Sequence, residues 1–385
     1  MTVDVRLTEA QMAAFDAIPN DQVSGIKPAF EKLSVERYLD PAIFEQEKEA
    51  IFLNLPMPLA ASAQLPGPDT FLRQDIAGKS VLLTRDKGGV ARAFVNTCRH
   101  RGVTLCPSHE LQTGKLVVCP YHAWGYAMDG ALTGVPRAEI FSALNKDEYG
   151  LSALPCAEGG GMIWVGLRPE GRYDFSVETG QLARELRGIH LDQARHFKTK
   201  AFTVKANWKL LMDTTLDSYH VTRLHRNTVA SMFSDSPVIV EPVGLHLRNA
   251  SARGNFARED LSDKVAMLRK VAVVTYQLFP AATVILSPHY TSVEMFRPIS
   301  HNETRVEFVM LTQHPQSAEV DERLQRSFDF MCRVFGEEDF WAAELGQEGI
   351  SSGDLKELTL GGMENQMRTF HGMVDQQINK YYQKA

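Results

Sequence analysis

Two short motifs place cysteine and histidine side chains where they could bind metal. Cys98-x-His100 and Cys119-x-x-His122 are separated by residues 101–118, so each of two loops supplies one thiolate and one imidazole. Structural zinc sites prefer Cys-x-x-Cys or His-x₃₋₅-His pairs. Two thiolates on one iron and two imidazoles on the other form a known type of [2Fe–2S] centre. The spacing therefore favours an iron–sulfur cluster, and the alternative is zinc or a set of unrelated side chains.

A second group of candidate ligands lies further along the chain. Asp217, His220 and His225 fall within nine residues. A five-residue step in a regular α-helix turns about 500°, which leaves His220 and His225 roughly 140° apart. Both can face one metal only if the helix is widened or ends between them, so we predict a distorted helix. Two imidazoles and a carboxylate are the ligands of non-haem Fe(II) oxygenases; the alternative is a polar helix face or a pH-sensitive structural pair.

Both groups sit in motifs that resemble one enzyme family. The first motif, Cys98-x-His100-Arg101-Gly102 with Cys119-Pro-Tyr-His122-x-Trp124, resembles the Rieske domain of ring-hydroxylating oxygenases. The second, Asn207-Trp208-Lys209 followed by Asp217-x-Tyr219-His220-x₄-His225, resembles the catalytic domain of the same oxygenases. The resemblance covers roughly residues 40–350. It implies a Rieske [2Fe–2S] cluster on the first motif and a mononuclear Fe(II) on His220 and His225, with O₂ as co-substrate.

The resemblance also assigns the acidic residues around the second iron. Asp217 is implied to hydrogen-bond His220 and to reach a Rieske histidine, His122, of a neighbouring subunit. A carboxylate three residues before a ligand imidazole is also sensible physically, because the two would share a helix face.

The third iron ligand must come from elsewhere in the sequence. Segment 335–347 resembles the Asp-x₄-Glu segment from which the family takes its carboxylate, and we predict Asp339. Glu338 and Glu344 are the alternatives, and an acidic helix face turned to water is an ordinary explanation for all of these acids.

The implied function is that of a terminal oxygenase (alpha) component. An external NAD(P)H-dependent reductase, and a ferredoxin where one is used, would supply electrons for mono- or dihydroxylation of an aromatic or related small organic substrate. The alternatives are an O- or N-demethylase, including one for quaternary ammonium compounds, and a Rieske electron carrier without the second iron. The family's head-to-tail ring of subunits predicts a homotrimer.

Two residues depart from the family pattern. Thr214 follows Asp213 where many members carry Asn, so an amide of the substrate pocket is expected to be missing. The bridging acid is Asp217, whereas the carnitine-oxidising branch tends to use Glu, which disfavours a quaternary ammonium substrate.

Apolar residues after the histidine motif and on later strands are candidates for the substrate pocket. Fewer than half are expected to touch a ligand, because such residues are more often core. They are Leu216, Val221, Leu224, Val229, Phe233, Phe279, Val284 and Leu286. His246, Arg248 and His289 are candidate partners for a substrate carboxylate.

The elements that carry these motifs predict an α+β chain. Short strand-like runs between residues 70 and 167 indicate a small all-β domain, and later strands mixed with long helical segments indicate an antiparallel sheet with covering helices. We predict an N-terminal helical segment over 1–40 that packs on the catalytic domain. A Rieske domain over 41–168 and a catalytic domain over 169–385 follow, with a linker near 171–180.

Composition limits the partners. The chain has 385 residues, with 41 Lys and Arg against 47 Asp and Glu, and a net charge of −6. This charge disfavours nucleic acid, and no apolar run reaches the length of a membrane span. Five cysteines suggest a reducing compartment, so we expect a cytoplasmic protein in which Cys106, Cys156 and Cys332 act as buried small hydrophobic residues.

Overall fold

A computed structural model describes residues 7–18, 28–234, 238–256 and 265–383. Its helices are α1 (Glu9–Asp16), α2 (Glu36–Leu39), α3 (Pro41–Glu47), α4 (Ser176–Thr179), α5 (Gln181–Gly188), α6 (Trp208–Leu216), α7 (Val221–Leu224), α8 (Val265–Val271), α9 (Ala318–Val334), α10 (Phe340–Ser351) and α11 (Asn365–Tyr382). Two π-helical turns extend α3 over Lys48–Phe52 and join α9 to α10 over Phe335–Asp339.

The strands, in chain order, are β1 (Glu31–Ser34), β2 (Met57–Ala61), β3 (Thr70–Ile76), β4 (Lys79–Arg85), β5 (Ala91–Val95), β6 (Gln112–Thr113), β7 (Leu116–Val118), β8 (Gly125–Ala127), β9 (Leu132–Gly134), β10 (Ala153–Leu154), β11 (Cys156–Gly159), β12 (Met162–Val165), β13 (Arg195–Val204), β14 (Ile239–Val243), β15 (His246–Ala252), β16 (Ala272–Leu278), β17 (Ala282–Leu286), β18 (Thr291–Ser300), β19 (Glu303–Thr312) and β20 (Glu357–Leu360). The predicted α+β class is confirmed.

Strands β2 to β12 form the small β-rich region. Its sheets have the orders β10-β5-β4-β3-β6, β7-β8-β9 and β11-β12-β2. The loop after β5 carries the Cys98 motif, and the loop between β7 and β8 carries the Cys119 motif. A small apolar core that includes Phe94, Trp124 and Tyr126 packs around both loops. The two loops are therefore held by strands of different sheets.

The larger region is built on an antiparallel seven-stranded sheet with the order β13-β19-β18-β17-β16-β15-β14. Successive residues of a strand point to opposite faces of a sheet. Val274, Val284, Val293 and Val309 lie in one apolar core on one face, together with residues of α1 and α5. Helix α6 packs against β18 and helix α9 against β13, so the sheet lies between two layers.

Helix α6 is anchored by the Asn207-Trp208-Lys209 motif. The Asn207 side chain caps the helix by accepting the Lys209 backbone N–H (2.9 Å) and donates to two backbone carbonyls. Glu47 accepts the Trp208 indole N–H (2.8 Å) and pairs with the Lys209 ammonium (2.5 Å). Lys209 and Glu47 are both buried, so the helix that leads to the histidines is fixed to the end of α3.

Arg297 on β18 ties the two regions together. Its guanidinium donates to the backbone carbonyls of Pro58 (2.8 Å) and Leu59 (2.7 Å) on β2. Because Arg297 is 2% exposed, this connection lies inside the molecule.

Two segments differ from the sequence expectations. Residues 171–180, predicted as a linker, include α4, whose Glu178 is buried and bonded to His246 (3.2 Å). Residues 1–6 and 19–27 of the predicted N-terminal helical segment lie outside the described residues. Its described part contains α2 and α1, whose Gln11 donates to Tyr276 on β16 (2.7 Å), and also strand β1, which pairs with β20. In the described residues, none of the helices is both long and apolar enough to cross a membrane.

Candidate functional site

Three predicted ligands converge next to α7. The Asp339 Oδ1 atom lies 3.5 Å from His220 Nε2 and 3.2 Å from His225 Nε2. One candidate ligand atom from each residue lies within 4.8 Å of the other two. The structure therefore brings together the side chains that the sequence analysis selected from two distant segments.

Breaks in the helices make this convergence possible. Helix α6 ends at Leu216, Asp217 has extended backbone, and His220 and His225 flank the single-turn helix α7. This confirms the predicted distortion. Asp339 ends the π-helical turn between α9 and α10, and such turns occur frequently at functional sites.

A second carboxylate lies behind each imidazole. The Asp217 Oδ2 atom is 3.1 Å from His220 Nδ1, and the Glu338 Oε2 atom is 2.5 Å from His225 Nδ1. Asp217 reaches His220 across a turn, so the expectation that the two share a helix face is wrong. Glu338, predicted only as an alternative ligand, contacts the candidate ligand His225 instead, and no pattern in the sequence indicates this contact. Glu344, the other alternative, accepts the Lys205 backbone N–H (2.9 Å) instead.

Hydrogen bonds between the imidazoles and the carboxylates of this cluster stabilise the charged form of each group. Burial lowers the pKa of His220, but hydrogen bonds to Asp217 and Asp339 outweigh burial and raise the pKa to about 9. Burial alone would raise the pKa of Asp339, but the hydrogen bonds from His220 and His225 bring it below the ordinary value. The pocket therefore stabilises an ionised carboxylate facing positive charge.

The donor set fits a mononuclear iron. Two imidazole nitrogens and one carboxylate oxygen form the facial triad of non-haem Fe(II) oxygenases, which leaves coordination positions open. The carboxylates at both Nδ1 atoms leave the Nε2 atoms of His220 and His225 to face Asp339. A ligand histidine typically uses its other nitrogen in this way, so the geometry can accommodate a metal.

The two Rieske-like loops bring their four side chains to one end of the β-rich region. The imidazoles of His100 and His122 lie with ring centroids 4.7 Å apart and are partly exposed. Cys98 and Cys119 are 2% and 3% exposed. The Nδ1 atom of His122 is buried without a hydrogen-bond partner among the described residues. Buried thiols and outward imidazoles, one with an unsatisfied nitrogen, fit a [2Fe–2S] cluster with two Cys and two His ligands.

Aromatic residues complete this end of the region. Trp124 stacks on His100 with ring centroids 4.8 Å apart. The Tyr126 hydroxyl accepts the Arg99 backbone N–H (3.0 Å) and lies 3.3 Å from Cys98 Sγ. Sequence reasoning did not single out Tyr126, although it lies two residues beyond the tryptophan of the motif. Hydrogen bonds to ligand sulfurs tune the potential of such clusters.

Left-handed backbone shapes both loops. Gly102 has φ +73° in the first loop, and Ala123 has φ +56° in the second. Of the remaining cysteines, Cys106 and Cys332 are buried and Cys156 is partly buried.

A cavity of about 780 Å³ opens beside His220, His225 and Asp339. Four of the eight apolar candidates line it, namely Leu216, Val221, Val229 and Phe233, whereas Leu224, Phe279, Val284 and Leu286 are absent from the described lining. Val284 and Leu286 belong to the core on the opposite face of the sheet. Their neighbours Thr283 and Ile285 line the cavity instead, because a shift of one residue changes the face.

The sheet gives the cavity a polar floor that the sequence analysis did not foresee. Six polar side chains line it from β15 to β18: Asn249, Ser251, Thr275, Thr283, Ser292 and Glu294. Thr214 also lines the cavity at the position of the expected missing amide.

The three basic candidates for a substrate carboxylate have different surroundings. His289 lines the cavity. His246 is buried beside Glu178, and Arg248 is buried between Glu185 and Glu241, so both are already paired. Arg253 lines the cavity and donates to backbone carbonyls, and no acidic partner for it is present in the described part of the chain.

Two family models match the chain. The one described as "Ring hydroxylating alpha subunit (catalytic domain)" matches residues 191–380, and the one described as "Rieske [2Fe-2S] domain" matches residues 56–145. Both clusters of candidate ligands fall inside the matched ranges.

Curated relatives match over about half of their own length. The carnitine monooxygenase oxygenase subunit of Escherichia coli (strain K12) is 32% identical over 203 residues, 52% of each chain. The anthranilate 1,2-dioxygenase large subunit of Acinetobacter baylyi is 28% identical over 224 residues, 56% of this chain and 46% of the relative.

The fold is similar to that of a solved quaternary ammonium Rieske monooxygenase, CntA. The two align with a TM-score of 0.78 and 20% identity, over 94% of this chain and 98% of the other.

Proposed function

Because the chain belongs to the family of Rieske ring-hydroxylating oxygenase alpha subunits, we propose that it is the terminal oxygenase of a multicomponent system. It would use O₂ and electrons from an external NAD(P)H-dependent reductase or ferredoxin to hydroxylate a small organic substrate. The observation that carries the proposal is the His220, His225 and Asp339 cluster at the wall of a large cavity.

The proposed site residues follow from the geometry. Cys98, Cys119, His100 and His122 would hold the [2Fe–2S] cluster, and His220, His225 and Asp339 the Fe(II). When bound, the cluster supplies single electrons and the Fe(II) activates O₂. Glu338 and Asp217 orient the two ligand imidazoles, and the cavity holds the substrate beside them.

Asp217 has a further proposed task between subunits. It is partly buried and already contacts His220 through Oδ2, while its Oδ1 accepts the Tyr219 backbone N–H (2.6 Å). We place it opposite His122 of a neighbouring subunit in a homotrimer. This arrangement would shorten the electron-transfer path between the [2Fe–2S] cluster and the Fe(II), which are held on separate domains.

The named relatives support two reaction classes, ring hydroxylation and demethylation. Aromatic hydroxylation is the leading candidate for this family, and the relative named anthranilate 1,2-dioxygenase agrees with it. The relatives named carnitine and glycine betaine monooxygenase subunits favour N-demethylation or hydroxylation of a nitrogen compound. The polar cavity floor supports a substrate with polar groups in either case.

Iron and acid-labile sulfide analysis tests the proposal. The protein, purified without oxygen, should contain about three irons and two sulfides per chain. The His220→Ala/His225→Ala variant should keep the visible spectrum of the cluster and lose about one iron.

A Rieske electron carrier makes the opposite prediction. If wild-type protein reconstituted with Fe(II) holds only about two irons per chain, the oxygenase proposal is wrong and the electron-carrier alternative replaces it. A colourless zinc protein would contradict both.

A further inference from the structure

The carboxyl group of Glu294 is buried, and no hydrogen-bond or ion-pair partner for it is found in the described part of the chain. Glu294 is 1% exposed, its Oε1 atom has no hydrogen-bond partner, and no ion pair reaches it from the described residues. Burial, followed by the nearby Asp339, raises the pKa of Glu294 well above its ordinary value. Burying such a group costs stability unless it is paired. The described residues do not compensate for this cost, but a ligand in the cavity would.

Glu294 and the candidate iron ligand Asp339 both line the cavity, and the charge of Asp339 acts on the carboxyl group of Glu294. It lies on β18 directly opposite Thr283 of β17, and both residues line the cavity. Adjacent strands are about 4.8 Å apart, and Ser292 lies two residues away on the same face. We call Glu294, Thr283 and Ser292 the acidic subsite.

The chemistry of the acidic subsite selects a hydrogen-bond donor. The raised pKa keeps the Glu294 carboxyl group protonated on its own, and a cationic donor beside it favours the ionised form, so the proton is released to solvent when the donor binds. The carboxylate and the hydroxyl oxygens then accept N–H groups, and a charged donor makes the strongest such bond. Quaternary ammonium groups have no N–H and are typically recognised by aromatic faces. Phe233, Tyr290, Phe330, Phe335 and Phe340 also line the cavity, but Phe308, the aromatic residue that pairs with Glu294 across the strands, packs under α9 and does not.

We propose that the acidic subsite binds a protonated amine of the substrate, with Glu294 as the specificity-determining residue that receives its N–H groups. The substrate class is then a small organic amine that carries N–H, rather than a hydrocarbon or a quaternary ammonium compound. This inference rests on the proposed function and specifies its substrate.

Titration calorimetry with three matched probes tests it on the iron-loaded protein without O₂. Benzylamine should bind about tenfold or more tightly than benzyl alcohol and benzyltrimethylammonium. Glu294→Gln should remove this preference and leave the affinity for benzyl alcohol within about twofold, because the amide keeps the shape but not the charge. Glu307→Gln is the matched control, since Glu307 is a buried acid of the neighbouring strand β19 outside the described cavity lining.

Several results would overturn the inference. Wild-type protein without a preference for benzylamine, a Glu294→Gln variant that keeps the preference, or tighter binding of the quaternary probe would each do so. Tighter quaternary binding would indicate a substrate without N–H.

A stability measurement separates a binding role from a structural one. Glu294→Met should raise Tm by a few degrees, because it removes a buried unpartnered carboxyl. A lower Tm would show that the carboxyl supports the fold and would contradict the inference. Iron and sulfide are measured on the same samples, so missing iron counts against the proposed function, and full iron without amine preference counts against the acidic subsite alone.

Discussion

Each imidazole of the candidate iron site is oriented by its own carboxylate, but the two carboxylates differ in their surroundings. Glu338 accepts a hydrogen bond from Thr228 (2.8 Å) in addition to its contact with His225. Asp217 contacts His220 and lies in the non-helical residues between α6 and α7. We therefore expect the loss of Glu338 to affect metal binding and the loss of Asp217 to affect electron transfer.

Glu338→Gln should weaken Fe(II) binding by about 10- to 100-fold, because the imidazole of His225 loses the charged partner that orients it. Competition with a chelator measures this affinity, and the visible spectrum of the cluster should stay unchanged. Glu344→Gln is the control, since Glu344 bonds to the Lys205 backbone. Equal iron affinity in Glu338→Gln and wild type would refute the orienting role.

Asp217→Asn should keep both metal centres and slow electron transfer between them by about tenfold or more, because the amide cannot accept in the same way from His220 and a Rieske histidine. Stopped-flow absorbance follows the re-oxidation of the reduced cluster by O₂. Loss of iron with an unchanged re-oxidation rate in the remaining loaded protein would assign Asp217 to metal binding instead.

At the scale of single residues, the sequence predicts which side chains are candidate ligands better than it predicts the residues that surround those ligands. The types and spacing of Cys98, His100, His220 and His225 are local features, so they can be read directly. Glu294 gave no such signal, because nothing in its neighbouring residues shows that it lines a cavity and lacks a partner.

At the scale of elements, helix breaks could be predicted and strand faces could not. The five-residue step from His220 to His225 is incompatible with one face of a regular helix, and α6 does end before it. Along β17, however, alternate residues are apolar or small on both faces. The sequence therefore did not show that Thr283 faces the cavity and Val284 the core.

Lys209→Met should destabilise the protein by about 3–5 kcal/mol, because it leaves the Glu47 carboxylate buried and uncompensated. Denaturant unfolding followed by fluorescence gives the free energy of unfolding. The double variant Glu47→Gln/Lys209→Met should recover much of the loss. A double variant as unstable as Lys209→Met alone would show that packing, rather than charge, fixes α6.

At the scale of the whole molecule, the two regions are joined through a buried contact rather than a free linker. Arg297 holds β2 against β18, and α4 occupies the segment where a linker was predicted. Long-range contacts of this kind cannot be recognised in the sequence, because the two guanidinium hydrogen bonds to β2 connect residues that are 239 and 238 positions apart. The buried contact opposes rotation of one region against the other, which agrees with the proposal that electrons pass between subunits.

The proposed homotrimer can be tested by its mass in solution. Light scattering should give a molar mass three times the chain mass of 43.0 kDa. Dilution into a range where monomers appear should slow re-oxidation of the cluster while iron content stays constant. Asp217→Asn should be slow at every concentration. A monomer whose re-oxidation rate is independent of concentration would contradict transfer between subunits.

Successive side chains along the strands of the seven-stranded sheet alternate between the cavity floor and the core on the opposite face. This alternation affects how the substrate preference of such a protein can change. Side chains that line the cavity floor and side chains that fill the opposite core occupy neighbouring positions but never share a face. A point substitution at a floor position therefore alters what the cavity accepts without leaving a void in the core. Asn249, Thr275 and Thr283 hydrogen-bond to other side chains, so a change at one of them leaves a partner to be satisfied. The other floor positions can vary singly. They are the natural choice for randomisation in directed evolution, and lineages sharing this fold can acquire new substrates through them one residue at a time.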